Sequence, residues 1–119
     1  MLLGLLHIDP IMLHDFIDST NNELKFIKDS FHKTKNFRDA LNKIFRSAHL
    51  IKGNANLLQL DYIVDIVHEY EDKIKALELK SNITKKDMNN LENDLHEIRF
   101  IFDEMSTSID RMGKIYSEV

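Results

Sequence analysis

The stretch Phe37-Arg38-Asp39-Ala40-Leu41-Asn42-Lys43-Ile44-Phe45-Arg46-Ser47-Ala48-His49-Leu50-Ile51-Lys52-Gly53-Asn54-Ala55-Asn56-Leu57-Leu58 decides the fold. Phe37, Leu41, Ile44, Ala48, Ile51, Ala55 and Leu58 recur at spacings of three and four. At 100° per residue they fall within about 100° of one another, the core-facing stripe of an amphipathic helix. With Ala48 at 0° on the wheel, Asn56, His49, Asn42, Gly53 and Arg46 fall between about 80° and 160°, a polar and exposed face. Lys52 lies at about 40°, at the edge of the core and near His49.

Three more segments repeat the pattern. Asp9 is a good N-cap and Pro10 a good first helical residue; Leu13, Phe16, Ile17, Thr20, Leu24, Ile27 and Phe31 follow on one side. Lys33 to Asn36 is polar and reads as a loop. Gln59 to Asp61 ends the second helix, and Asp61 can cap the third, whose stripe is Ile63, Ile66, Val67, Tyr70, Ile74 and Leu77. Lys80 to Thr84 is a loop, with Thr84 and Asp87 spaced as a capping box. The fourth stripe, Met88, Leu91, Leu95, Ile98, Phe102, Met105, Ile109 and Met112, is close to a heptad, with Gly113 placed to end it.

Four such stripes predict an all-α fold, an antiparallel up-down four-helix bundle with short loops, each helix about 20 to 25 residues long. There is room for a short additional helix at either terminus. Residues 9–119 form the bundle, and residues 1–8 read as an N-terminal extension or a chain boundary.

Composition agrees. A chain of 119 residues with 43% hydrophobic and 30% charged residues is one globular domain large enough for its own core. Three glycines and one proline leave too few turns for a sandwich or barrel. The absence of cysteine excludes disulfides, thiol catalysis and thiolate metal sites, and suits a reducing compartment, the cytoplasm. A net charge of −4 without a basic block argues against nucleic acid or an anionic membrane as partner. The apolar start, Met1 to Ile8, lacks a basic flank and is too short to span a bilayer.

Chemistry concentrates around His49. A glycine inside a helix costs about 1 kcal/mol relative to alanine, and Gly53 on the exposed face leaves room for another molecule to approach. On the third helix Glu71 and His68 are three residues apart, both off the core stripe. In a hairpin turning near residue 60, positions 49 and 71 each lie about eleven residues from the turn and are level. Glu71 could then hold one ring nitrogen of His49 and leave the other free as a nucleophile, in a pair expected to be only partly buried. The remaining histidines, His7, His14, His32 and His96, show no comparable setting.

His49-Leu50-Ile51-Lys52-Gly53, with His68 and Glu71 on the next helix, resembles the signature of histidine-phosphotransfer (HPt) domains. The second pair most resembles the N-terminal phosphotransfer domain of chemotaxis histidine kinases of the CheA type. One departure is Gln59, standing where that family has a second glycine; it bears on partner identity more than on phosphoacceptor chemistry.

The resemblance implies a phosphoacceptor and phosphocarrier domain rather than an enzyme, one that could belong to a larger CheA-like histidine kinase. His49 would accept a phosphoryl group from a histidine kinase catalytic domain, in cis or in trans, or from a phospho-receiver, and pass it to a receiver-domain aspartate. Lys52 would pair with the phosphoryl oxygens, Glu71 would orient the ring, and His68 would support the network. Asn42, Arg46, Gly53 and Asn56 would form part of the docking face. No intrinsic cofactor is implied: Mg²⁺ and ATP would come with the partners.

Three alternatives fit these residues less well. A docking scaffold with the same fold and no phosphotransfer would not need His49, Lys52 and Glu71 together. A metal-binding bundle would want inward Glu and Glu-x-x-His pairs on several helices, so no metal ligands are assigned. A sensor-kinase dimerisation domain would follow its histidine with an acidic residue and a Thr-Pro run, whereas Leu50-Ile51-Lys52-Gly53 follows here.

Overall fold

The computed structural model describes residues 8–33 and 35–117, with side chains as far as Arg111. Four helices account for it: α1 (Pro10–Lys33), α2 (Phe37–Leu57), α3 (Asp61–Glu78) and α4 (Lys85–Ser117). Among the described residues there is no strand. The packing runs α1–α2, α2–α3, α3–α4 and back from α4 to α1, so the α2–α3 seam lies opposite the α1–α4 seam. Among the described residues no helix is long and apolar enough to cross a membrane.

Local sequence sets most of the boundaries. Asp9 caps α1, its Oδ1 accepting from the Ile11 amide at 2.8 Å, with Pro10 as the first helical residue. Asn36 caps α2 in the same way, accepting from the amides of Arg38 and Asp39 at 2.9 and 3.2 Å. The capping box of α4 is reciprocal: the Thr84 amide donates to Asp87 at 3.0 Å, and the Asp87 amide donates to the Thr84 hydroxyl at 3.1 Å.

Two expected helix ends fall elsewhere. Asp61 is the first residue of α3 and not its cap; Leu60 occupies the cap position without a side-chain hydrogen bond. Asp61 still places a negative charge at the positive end of the helix dipole. Gly113 does not end α4, which continues to Ser117 and makes a helix of 33 residues, longer than the 20–25 expected. A glycine weakens a helix by about 1 kcal/mol but does not by itself stop one.

The stripes converge as the periodicity predicts. Leu13, Phe16, Leu24, Ile27, Leu41, Ile44, Ala48, Ile51, Ala55, Ile63, Val67, Tyr70, Ile74, Met88, Leu91, Leu95, Phe102, Met105 and Ile109 are all buried. Phe16 and Phe102 meet edge to face across the core at 6.2 Å. The buried Tyr70 hydroxyl donates to the Leu91 carbonyl at 3.1 Å, tying α3 to α4. Burial, reinforced by the charges of Asp94 and Glu92, raises its pKa far above the ordinary phenol value. Arg38 at the start of α2 donates to the carbonyls of Glu78 and Lys80 at the end of α3, which fixes the hairpin that carries the site.

Candidate functional site

The site lies on the α2–α3 seam. The inward residues of α2 at this level are small: Ser47, Ala48 and Ala55 are buried beside Ile44 and Ile51. Small side chains let neighbouring helices approach closely. The outward face presents Asn42, Arg46, His49, Gly53 and Asn56, all exposed, with Lys52 half-buried at the edge. A Cβ built on Gly53 would meet nothing within 4 Å, so the surface there is open.

Glu71 reaches this face from α3. Its Oε2 lies 2.7 Å from His49 Nδ1, and its Oε1 lies 2.5 Å from Lys52 Nζ. The Lys52 contact is an ion pair rather than an aligned hydrogen bond, since Oε1 lacks a partner of hydrogen-bond geometry. His68 stands alongside without a hydrogen bond, its ring nitrogens 3.8 Å from Glu71 and 3.6 Å from Asp72. The expected level placement of residues 49 and 71 is therefore seen, and His49, Lys52 and Glu71 come together. His68 is at their margin.

The pair is partly buried, as expected, but the burial falls on Glu71 alone. Glu71 is 1% exposed, whereas the His49 and Lys52 side chains are 63% and 24% exposed. The wheel of α3 placed Glu71 off the apolar stripe, but α2 lies over it and its two partners close the remaining opening. The cluster is thus one buried carboxylate holding two more exposed groups.

The charge state follows from these contacts. Burial opposes ionisation of Glu71, but the Lys52 ammonium and the His49 hydrogen bond outweigh it and hold the carboxyl below its ordinary pKa. An ionised carboxylate only accepts hydrogen bonds. His49 must therefore donate its Nδ1–H, which leaves Nε2 of the neutral ring with a free lone pair on an exposed side chain. The arrangement can deliver a nitrogen nucleophile outward and place a cation beside it.

Two neighbours escaped the sequence reading. The ring of Phe45, one turn before His49, stacks on the imidazole with centroids 5.8 Å apart and planes at 13°. The Lys75 ammonium lies 5.4 Å from the centroid of the Phe45 ring. The i to i+4 spacing of Phe45 to His49 was the available signal for the stack; the Lys75 contact joins two helices and no single wheel contains it. His32 is an exposed histidine, as expected, and its Nε2 lies 2.6 Å from Glu92 Oε2, a histidine–carboxylate pair between α1 and α4. Among the described residues no lysine stands by that carboxylate as Lys52 does by Glu71.

Comparison with known families gives one finding: the family model for the Hpt domain matches residues 11–100, well over half of the chain. Neither a curated protein nor a solved structure matches it.

Proposed function

Because the chain belongs to the Hpt domain family, whose members carry phosphoryl groups on histidine within phosphorelays and are carriers rather than catalysts, we propose that His49 is its phosphoacceptor. The observation that carries this reading is the 2.7 Å contact between His49 Nδ1 and the buried Glu71 carboxylate, which directs the bare Nε2 outward.

In the step proposed, the Nε2 lone pair attacks phosphorus. The N–P bond forms as the bond from phosphorus to the donor oxygen breaks, and that oxygen leaves with the bonding pair. Nε2 bears no proton, so none has to be removed. The ring gains positive charge, which the Glu71 carboxylate neutralises through Nδ1–H, as the carboxylate of a catalytic triad does for its imidazolium. Lys52, half-exposed beside the ring, can turn toward the phosphoryl oxygens. In the onward step a receiver aspartate oxygen attacks phosphorus, the N–P bond breaks, and the lone pair returns to Nε2 with Nδ1–H unchanged. Mg²⁺ and ATP belong to the partners and supply charge neutralisation and the phosphoryl group.

The finer assignment is a CheA-type phosphotransfer module of a cytoplasmic chemotaxis-type relay, fed by a kinase domain in cis or in trans. His68 and Glu71 following His49, Lys52 and Gly53 support it. Asn42, Arg46, Gly53 and Asn56 form part of the face offered to the receiver. The test is phosphorylation by a panel of histidine kinases, with mapping of the modified residue. His49→Gln should abolish acid-labile labelling and leave the helical circular dichroism intact; full labelling of that variant would end the proposal.

A further inference from the structure

His49 is 63% exposed, so packing alone does not hold its ring. One hydrogen bond, from Nδ1 to Glu71, fixes the position of one atom. It leaves the ring plane free to swing about that contact, and with it the direction of the Nε2 lone pair. A transferable phosphoryl group must meet that lone pair in line, so the plane needs a second constraint.

Phe45 supplies one. It lies one turn earlier on α2, and its ring is nearly parallel to the imidazole at 13°, with the centroids offset at 5.8 Å. Phe45 is itself anchored: it is half-buried and packs against the core. Lys75 of α3 sits 5.4 Å from its ring centroid, a cation–π contact that adds an attachment from the second helix of the seam. The chain of contacts therefore runs from core and α3, through Phe45, to the plane of His49.

We propose that Phe45 is a positioning residue, whose ring face sets the plane of the His49 imidazole so that Nε2 points outward, and that Lys75 steadies Phe45 in that role. This rests on His49 being the phosphoacceptor. Glu71 selects the tautomer, and Phe45 selects the orientation. The two tasks separate experimentally, because a flat ring can be removed without touching the carboxylate.

Phe45→Leu keeps the apolar contact with the core and removes the flat face; Phe45→Tyr keeps the face. In the phosphorylation assay, Phe45→Leu should lower kcat by about three- to tenfold with KM for the kinase domain unchanged. Phe45→Tyr should restore most of the rate. NMR of the unphosphorylated chain gives a readout independent of any phosphoryl donor. The His49 ring protons should carry an aromatic ring-current shift in the wild type and in Phe45→Tyr, and lose it in Phe45→Leu, while the Nδ1–H tautomer persists in all three. Circular dichroism melting checks that Phe45→Leu is folded at the assay temperature. An absent ring-current shift in the wild type, or full-rate labelling of a folded Phe45→Leu, overturns the proposal. If the wild type shows the shift but the label maps to another residue, the phosphoacceptor assignment is what fails.

Discussion

Replacing Glu71 separates what the site contributes to stability from what it contributes to reactivity. Truncating one member of a buried ion pair can cost 3–5 kcal/mol when the other charge is stranded. Stranding does not occur here: Lys52 is 24% exposed and can extend into water, and His49 is 63% exposed and can turn its Nδ1–H to water. The desolvation of the carboxylate is also relieved. Glu71→Ala should therefore cost about 1–2 kcal/mol, lowering the melting temperature by roughly 3–10 °C. The rate should suffer more. Without the carboxylate the ring loses its tautomer control and the charge that balances the developing imidazolium. A loss of tenfold or more is expected, equivalent to at least ~1.4 kcal/mol of barrier. Glu71→Gln keeps an acceptor for Nδ1–H without the charge, and its rate should fall between the two. The assay is initial-rate labelling by a histidine kinase alongside thermal melts. Full-rate labelling of His49 in Glu71→Ala would refute the orienting role. A melting temperature lowered by far more than 10 °C would show that the carboxylate chiefly supports the fold.

The same geometry sets three other outcomes. Glu71 has a lowered folded-state pKa, so its ionised form stabilises the fold above the ordinary carboxylate value of about 4.3. That contribution is lost as pH falls from there through the folded pKa, and wild type should lose stability more steeply than Glu71→Gln in acid denaturation; parallel curves would count against the ionised pair. Gln59, at φ 58°, holds the left-handed backbone that glycine adopts at no steric cost. Gln59→Gly should raise the urea midpoint, by about 0.5–1 kcal/mol in stability, and a lower midpoint would refute it. Gly53→Gln, with open space around its Cβ, should stabilise the helix by several tenths of a kcal/mol yet slow transfer to a receiver; unchanged transfer would remove Gly53 from the docking face.

Particular residues show what the sequence could reveal. Helical periodicity sufficed for the core because burial of Leu41, Ile44, Ile63 or Leu91 depends on each helix's own wheel. The caps Asp9 and Thr84 were equally legible, since a cap and its amide partners lie within three residues. The level of His49 with Glu71 needed only a turn position and the helical rise. The burial of Glu71 was not accessible this way: it depends on what α2 lays over α3, which no single wheel contains. The same holds for Lys75 on Phe45 and for His32 on Glu92, pairs joined across helices. Gln59 illustrates a different limit. Its position was marked as unusual by the missing glycine, but the strain became visible only in the backbone angle.

A bundle selected for stability alone would not bury Glu71. Taking a carboxylate out of water is costly, and well-packed apolar residues of similar size often serve as well or better. Glu71 lies on the seam where its neighbours Val67, Tyr70 and Ile74 are buried. Its two polar partners, His49 and Lys52, both belong to the proposed phosphoacceptor site. If the charge is kept for reactivity, removing both members of the ion pair together should leave the fold intact while stopping the chemistry. Glu71→Leu combined with Lys52→Met supplies that test. The double variant leaves neither charge behind, and the exposed His49 can turn its Nδ1–H to water. Its melting temperature should equal or exceed that of the wild type, whereas Glu71→Ala alone should fall below it. Labelling of His49 should drop at least tenfold in both. A double variant that melts well below Glu71→Ala would mean that the ion pair holds α2 to α3, and that the carboxylate is buried for the fold rather than for the histidine.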